Sequence, residues 1–234
     1  MLGHPVSSIG RWLPSAIAPR LRWRTEADGW LLLGFDHIQG RHADLSTGSR
    51  DLPLIADAMS AMARDLAGCG AVADRLAPQW ARFAPWRRLA KDIPADLDPW
   101  ACDNLDQLII WESRAVEVAE GDSLVHTDLH SLNILISDGR ATVIDWAWSR
   151  LGSAAVDVAF LTARLVAAGH TPVAAVTWAE NIPTWRSAPF DVRAALAVQV
   201  WGLWERTGRE RPRPLWTKIT PAARAVARHQ LGLV

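Results

Sequence analysis

Four polar side chains between residues 126 and 145 have the types and spacing to do chemistry: His126, Asp128, Asn133 and Asp145. The stretch 133–145 reads as a β-hairpin: Asn-Ile-Leu-Ile, then Ser-Asp-Gly-Arg as the turn, then Ala-Thr-Val-Ile-Asp. If Ile136 pairs with Ala141 across that four-residue turn, the register continues through Ile134 with Val143. It sets Asn133 opposite Ile144 and leaves Asp145 at the open end, so Asn133 and Asp145 meet. Asp128, in the loop that feeds the first strand, can sit above the same end. Two carboxylates and an amide oxygen then converge. Hard oxygen donors of this kind suit Mg²⁺, which takes one or two carboxylates together with phosphate oxygens. A carboxylate left free of the metal can take a proton from a substrate hydroxyl. The run His126-x-Asp128-x-His130 also admits a rival chemistry, metal-dependent hydrolysis with two imidazoles and a carboxylate on zinc or manganese. Those positions share a face only on a strand, and no second His-rich group follows.

The run His126-Thr127-Asp128-Leu129-His130-Ser131-Leu132-Asn133, followed by Ile144-Asp145-Trp146, resembles the catalytic and metal-binding motifs of the aminoglycoside phosphotransferase and choline kinase family. That family has a protein-kinase-like fold. The resemblance implies that Asp128 is the catalytic base facing an acceptor hydroxyl, that Asn133 and Asp145 hold magnesium on the nucleotide phosphates, and that His126 buttresses the loop. Gly152 and Asp157 look like the family's Gly and Asp before the next helix, where the Asp braces the catalytic loop. Upstream, residues 30–41 are similar to the last small-lobe strand and hinge, where the backbone of Asp36, His37 and Ile38 would hydrogen-bond adenine. The activity implied is ATP-dependent phosphorylation of a small-molecule hydroxyl, with ATP and Mg²⁺. The alternative within the same fold is a non-catalytic, nucleotide-binding pseudokinase. The family's phosphate-covering loop, strand Lys and helix Glu are not visible before Trp12, and the lysines are Lys91 and Lys218. The chain is therefore expected to begin inside the small lobe.

The elements that must position these residues give an α+β fold: residues 1–40 as a truncated small β lobe and hinge, and residues 41–234 as a mainly helical large lobe holding the active-site hairpin. Residues 20–26 alternate as a strand, Ala27-Asp28-Gly29 supplies a turn, and 30–35 reads as a second, more deeply buried strand. Pro53 suits a first helical turn, and Ile55, Met59, Met62 and Leu66 follow at the spacing of one buried face. Residues 76–100 read as irregular with short helical turns. Helices are expected over 102–119, 154–168 and 189–206, with shorter ones after Thr171-Pro172 and Thr220-Pro221. Trp201 and Trp204 are read as core packing, Cys69 and Cys102 as small buried hydrophobes, and His130 as structural or solvated.

Composition bounds the rest. Of 234 residues half are hydrophobic, and 25 Lys and Arg balance 25 Asp and Glu. That balance argues against a nucleic-acid coat or a membrane-surface protein. Two cysteines without a Cys-x-x-Cys pair encode neither a zinc knuckle nor a disulfide framework, so a cytoplasmic setting is the default. The most apolar run, 154–168, is interrupted by Asp157 and Arg164 and does not span a membrane. The expected partner is a small-molecule hydroxyl acceptor, with no nucleic acid and no membrane. A two-stranded hairpin with unpaired edges must lean on the large lobe or on another chain, the latter giving a homodimer through that edge. Residues 181–234 carry 9 basic against 3 acidic side chains, and the resemblance puts acceptor-binding helices there, so the acceptor is expected to be neutral or anionic.

Overall fold

The computed structural model describes Gly10 and residues 12–233. The first strands, β1 (Leu21–Ala27) and β2 (Trp30–Phe35), pair antiparallel with Ala27 opposite Trp30. Asp28 and Gly29 alone make the turn, both at positive φ, as the twist of a tight hairpin requires. Trp23 stands opposite Gly34, and its indole fills the space where a Cβ on Gly34 would lie. The expected burial of the second strand is not found. Trp30 is 74% exposed and Leu32 47%, because this sheet holds only these two strands and so has no inner face. The expectation that the chain begins inside the small lobe rests on residues 1–9, which lie outside those described.

Strand β3 (Arg41–His42) follows β2 after a short irregular stretch, and then comes α1 (Asp51–Asp65). Asp51 ties them together: its buried carboxylate accepts both Arg41 guanidinium nitrogens at 2.6 Å and the Asp44 N–H at 2.8 Å. Those Arg41 hydrogen bonds hold the Asp51 carboxyl below its ordinary range. Ile55, Met59, Met62 and Leu66 are buried on one face, and Pro53 sits in the first turn. The next stretch is more regular than its prolines suggest. Helices α2 (Leu76–Phe83) and α3 (Pro85–Leu89) are separated by Ala84 alone, at φ 37°, and α4 (Pro99–Asp103) is capped by Asp98. Then come α5 (Leu105–Val118), β4 (Ser123–Val125), β5 (Ile134–Ser137), β6 (Arg140–Val143) and β7 (Arg150–Gly152). One small sheet runs β3-β5-β6 and another pairs β4 with β7, a strand the sequence did not announce.

The remainder is helical: α6 (Ala155–Ala167), α7 (Pro172–Ala179), α8 (Pro183–Arg186), α9 (Phe190–Glu210) and α10 (Trp216–Gln230). The last begins ahead of Thr220-Pro221 and carries Pro221 inside it, early enough that the missing N–H costs one hydrogen bond near the start. Trp86, Trp185 and Trp201 are fully buried, and the rings of Trp86 and Trp201 meet edge-on at 4.7 Å. Trp204 is buried as well, so both tryptophans of α9 are core residues as expected. Cys69 and Cys102 are half-buried free thiols, more open than expected. Helices α9 and α10 are tied to distant sequence: Trp86 Nε1 donates to Val198 O at 3.0 Å, Arg209 pairs with Asp96, and Arg224 with Asp98. Among the described residues no helix is long and apolar enough to cross a membrane.

Candidate active site

Strands β5 and β6 pair as Ile134 with Val143, Leu135 with Thr142 and Ile136 with Ala141, the register read from the sequence. Ser137 also pairs with Arg140, so the turn tightens to Asp138 and Gly139, both at positive φ. Beyond the strands the Ile144 N–H donates to Asn133 O at 2.9 Å, which brings Asn133 and Asp145 to the open end. Asp145 adopts a left-handed conformation (φ 59°, ψ 62°) and exposes its carboxylate. A non-glycine residue held there costs on the order of 1 kcal/mol or more and persists because its surroundings over-determine it. Asn133 is nearly buried. Its Nδ2 donates to the Asp128 carbonyl at 2.9 Å, and its Oδ1 has no hydrogen bond among the described residues.

The loop that carries Asp128 is clamped from α6. Asp157, in the first turn of that helix, accepts the N–H groups of His126 at 2.7 Å and Thr127 at 2.8 Å. Thr127 is itself left-handed (φ 64°), and its hydroxyl donates to Trp148 O at 2.7 Å. Burial pushes the Asp157 carboxyl up to about 6 against the pull of those two N–H groups. His126 is fully buried and packs edge-on against Trp146. Its Nδ1 accepts the Asp128 N–H at 3.2 Å, and its Nε2 then donates to Ile144 O at 2.9 Å. Burial lowers it to about 4, so the ring is neutral at physiological pH. Both ring nitrogens are engaged with backbone, and neither offers a lone pair to a metal ion, as the hydrolase reading would need.

The Asp128 carboxylate is half-buried, with the Arg164 guanidinium 3.7 Å from one oxygen and His130 Nε2 3.8 Å from the other. Burial raises the Asp128 carboxyl and the nearby charge of Asp145 adds to this, while His130 and Arg164 oppose it. Nδ1 of His130 accepts the Leu132 N–H and fixes the short turn Ser131–Asn133. Arg164 is the residue that the sequence reading missed. It is largely buried on α6 and lies over the Trp204 ring at 5.0 Å. A signal was present: an arginine in an apolar helix seven residues after Asp157 is two turns along the same face.

Two cavities flank this junction. One, of about 460 Å³, lies between Asp36, His37 and Ile38, just after β2, and Leu135, Ile144 and Asp145 on the hairpin side. The other, of about 480 Å³, takes in Thr127 and Asp128 and extends toward α2 and the end of α9. Among the described residues no group of three or more His, Cys, Asp or Glu side chains is arranged to hold a metal. The oxygen donors Asn133 and Asp145 fit a magnesium ion that completes its shell with phosphate oxygens and water.

The model of the phosphotransferase enzyme family (APH) matches residues 10–215. No curated protein matches the chain. Among solved structures, a thermostable mutant of aminoglycoside phosphotransferase APH(4)-Ia in a ternary complex with ADP and hygromycin B aligns with TM-score 0.62 at 15% identity. That alignment covers 96% of this chain and 81% of that one. A choline/ethanolamine kinase family protein from Mesorhizobium loti aligns with TM-score 0.63 at 14% identity, over 98% and 77%. An ethanolamine kinase from Plasmodium vivax aligns with TM-score 0.58 at 14% identity, over 97% and 71%. The architecture is thus the protein-kinase-like one, small sheets with a helical large lobe.

Proposed function

The chain belongs to the phosphotransferase enzyme family, and from that premise we propose that it transfers the γ-phosphoryl group of ATP to a hydroxyl of a small molecule. The observation that carries this reading is the pair of cavities on either side of one loop, with Asp145 lining the first and Asp128 the second. In the first, Leu135 and Ile144 offer apolar surface for adenine, and the backbone of Asp36, His37 and Ile38 offers it hydrogen bonds. Asn133 and Asp145 would hold magnesium, which neutralises charge on the phosphates when bound. In the second, the Asp128 carboxylate takes the proton of the acceptor hydroxyl. The hydroxyl oxygen forms a bond to the γ-phosphorus as the bond from that phosphorus to the bridging oxygen breaks, and ADP leaves with the electron pair. Asp157 and the neutral His126 hold the loop, while Arg164 balances the charge of Asp128.

Calorimetry with a non-hydrolysable ATP analogue tests the nucleotide half: Asp145→Ala should abolish magnesium-dependent binding, and equal affinity in variant and parent refutes the assignment. Asp128→Asn should lower turnover by about 10² or more at unchanged nucleotide affinity. A chain that binds nucleotide but transfers no phosphate to any acceptor is the pseudokinase instead.

A further inference from the structure

The cavity beside Asp128 has a chemistry of its own. Trp80, Phe83, Trp148, Phe160 and Trp216 give it an aromatic wall, with rings contributed by α2, α6 and α10 and by the turn after Asp145. Asp128 is the one carboxylate among the described residues that line it, and Arg211 and Arg213 line it as well. The arginines around the end of α9 divide into two kinds. Arg206 pairs with Glu210 and stacks over Phe83 at 4.1 Å, and Arg209 pairs with Glu205 and Asp96. Arg211 and Arg213 are exposed and have no acidic partner among the described residues. The backbone that carries Arg211 is nevertheless fixed: its N–H donates to Thr207 O at 2.9 Å and its carbonyl accepts Trp216 Nε1 at 2.8 Å. A built aromatic pocket therefore ends at two uncompensated cations.

From this we infer that the acceptor is an anion: a hydroxyl compound with a ring-bearing apolar body, whose carboxylate or phosphate lies on Arg211 and Arg213 while its hydroxyl reaches Asp128. The inference deepens the phosphotransferase reading and rests on it. The chemistry is the transfer described above, from ATP to the hydroxyl oxygen, with the proton passing to Asp128. A planar guanidinium fork matches carboxylate and phosphate oxygens, and aromatic walls match a flat apolar body. A cationic amino alcohol meets the opposite. Its ammonium would face two arginines with no carboxylate to pair with, because Asp128 is committed to the hydroxyl and already has Arg164 beside it. Discrimination thus comes from repulsion as well as attraction.

A matched pair of probes tests this with the full chain: 3-(hydroxymethyl)benzoate and 3-(hydroxymethyl)benzylamine, which share a ring and an alcohol and differ in the sign of their charge. Binding is measured by calorimetry in the presence of a non-hydrolysable ATP analogue and Mg²⁺, and phosphate ester formation by mass spectrometry with ATP. The anion should bind at least tenfold more tightly than the cation. The double variant Arg211→Ala, Arg213→Ala should erase that preference with its melting temperature and nucleotide affinity unchanged. Equal binding of the two probes, preference for the amine, or a preference that survives in the double variant overturns the inference. Preferential binding of the anion with no ester formed upholds the pocket's charge selectivity and rejects phosphoryl transfer, so the two failures are distinct.

Discussion

Asp157 and His126 are neighbours in the loop clamp, and burial shifts them in opposite senses. The Asp157 carboxyl, raised to about 6, binds a proton more readily folded than unfolded, so its contribution to stability grows as pH falls from about 6 toward 4. The His126 ring, lowered to about 4, resists protonation when folded, so its contribution is lost as pH falls from about 6.5 toward 4. Each shift of two units or a little more corresponds to about 3 kcal/mol, and the two nearly cancel over that window. Asp157→Asn should cost about 1 to 3 kcal/mol at neutral pH, because one amide face presents a donor to a backbone N–H. The gap to the parent should then widen by about 3 kcal/mol on acidification from pH 6.5 to 4, read by chemical denaturation at several pH values. A gap that stays constant with pH would place the raised carboxyl elsewhere. At this scale the sequence was legible in residue type: His126, Asp128, Asn133, Asp145 and Asp157 are all at the one junction. It was not legible in backbone conformation, because the left-handed states of Thr127 and Asp145 are imposed by contacts from α6 and the 146–148 turn rather than by local preference.

Among the elements, the α3–α9 contact shows why some assignments succeeded and others did not. Gly202 lies in the middle of α9, where glycine costs about 1 kcal/mol relative to alanine. A Cβ there would stand 2.5 Å from Trp86 Nε1, the atom that donates to Val198 O. Gly202→Ala should therefore destabilise by about 1 to 3 kcal/mol despite the better helix former. Gly202→Ala in a Trp86→Leu background should cost less than in the parent. Thermal unfolding of the four proteins of this cycle gives the coupling, and additive effects would refute the contact. The amphipathic helix α1 and the β5–β6 hairpin were readable because their periodicity and turn chemistry are local. Strand β7 was not, since its three residues become a strand only by pairing with β4, nor was the start of α10, which runs on through Pro221 as its sixth residue and gives up the hydrogen bond of the missing N–H.

Across the whole molecule stability is uneven. The β1–β2 hairpin exposes Trp23, Trp30 and Leu32, whereas residues along α6 and the middle of α9 are buried. Hairpin amides should exchange with solvent within seconds at neutral pH, while those of α6 remain protected for hours, as mass-detected hydrogen exchange would show. Protection of the hairpin equal to that of α6 would mean that a second copy covers it. The fold class, small sheets with a helical large lobe, was legible in the sequence. The way the helices close on each other was not, because it depends on pairs such as Arg209 with Asp96 and Arg224 with Asp98, which no local window contains.

Those long-range ties also set an order of events while the chain is being made. Asp96 and Arg209 are 113 positions apart, which at ribosomal speed is an interval of roughly 6 to 20 s. For most of it Trp86 lacks both the Val198 carbonyl that accepts its indole N–H and the Trp201 ring that covers it. The apolar flank of α3 and α5 is then open to solvent or to whatever holds apolar surface. The helix that shuts the core leaves the ribosome 112 residues after the indole it covers, so a stalled or slowed chain is a species with its largest side chains uncovered.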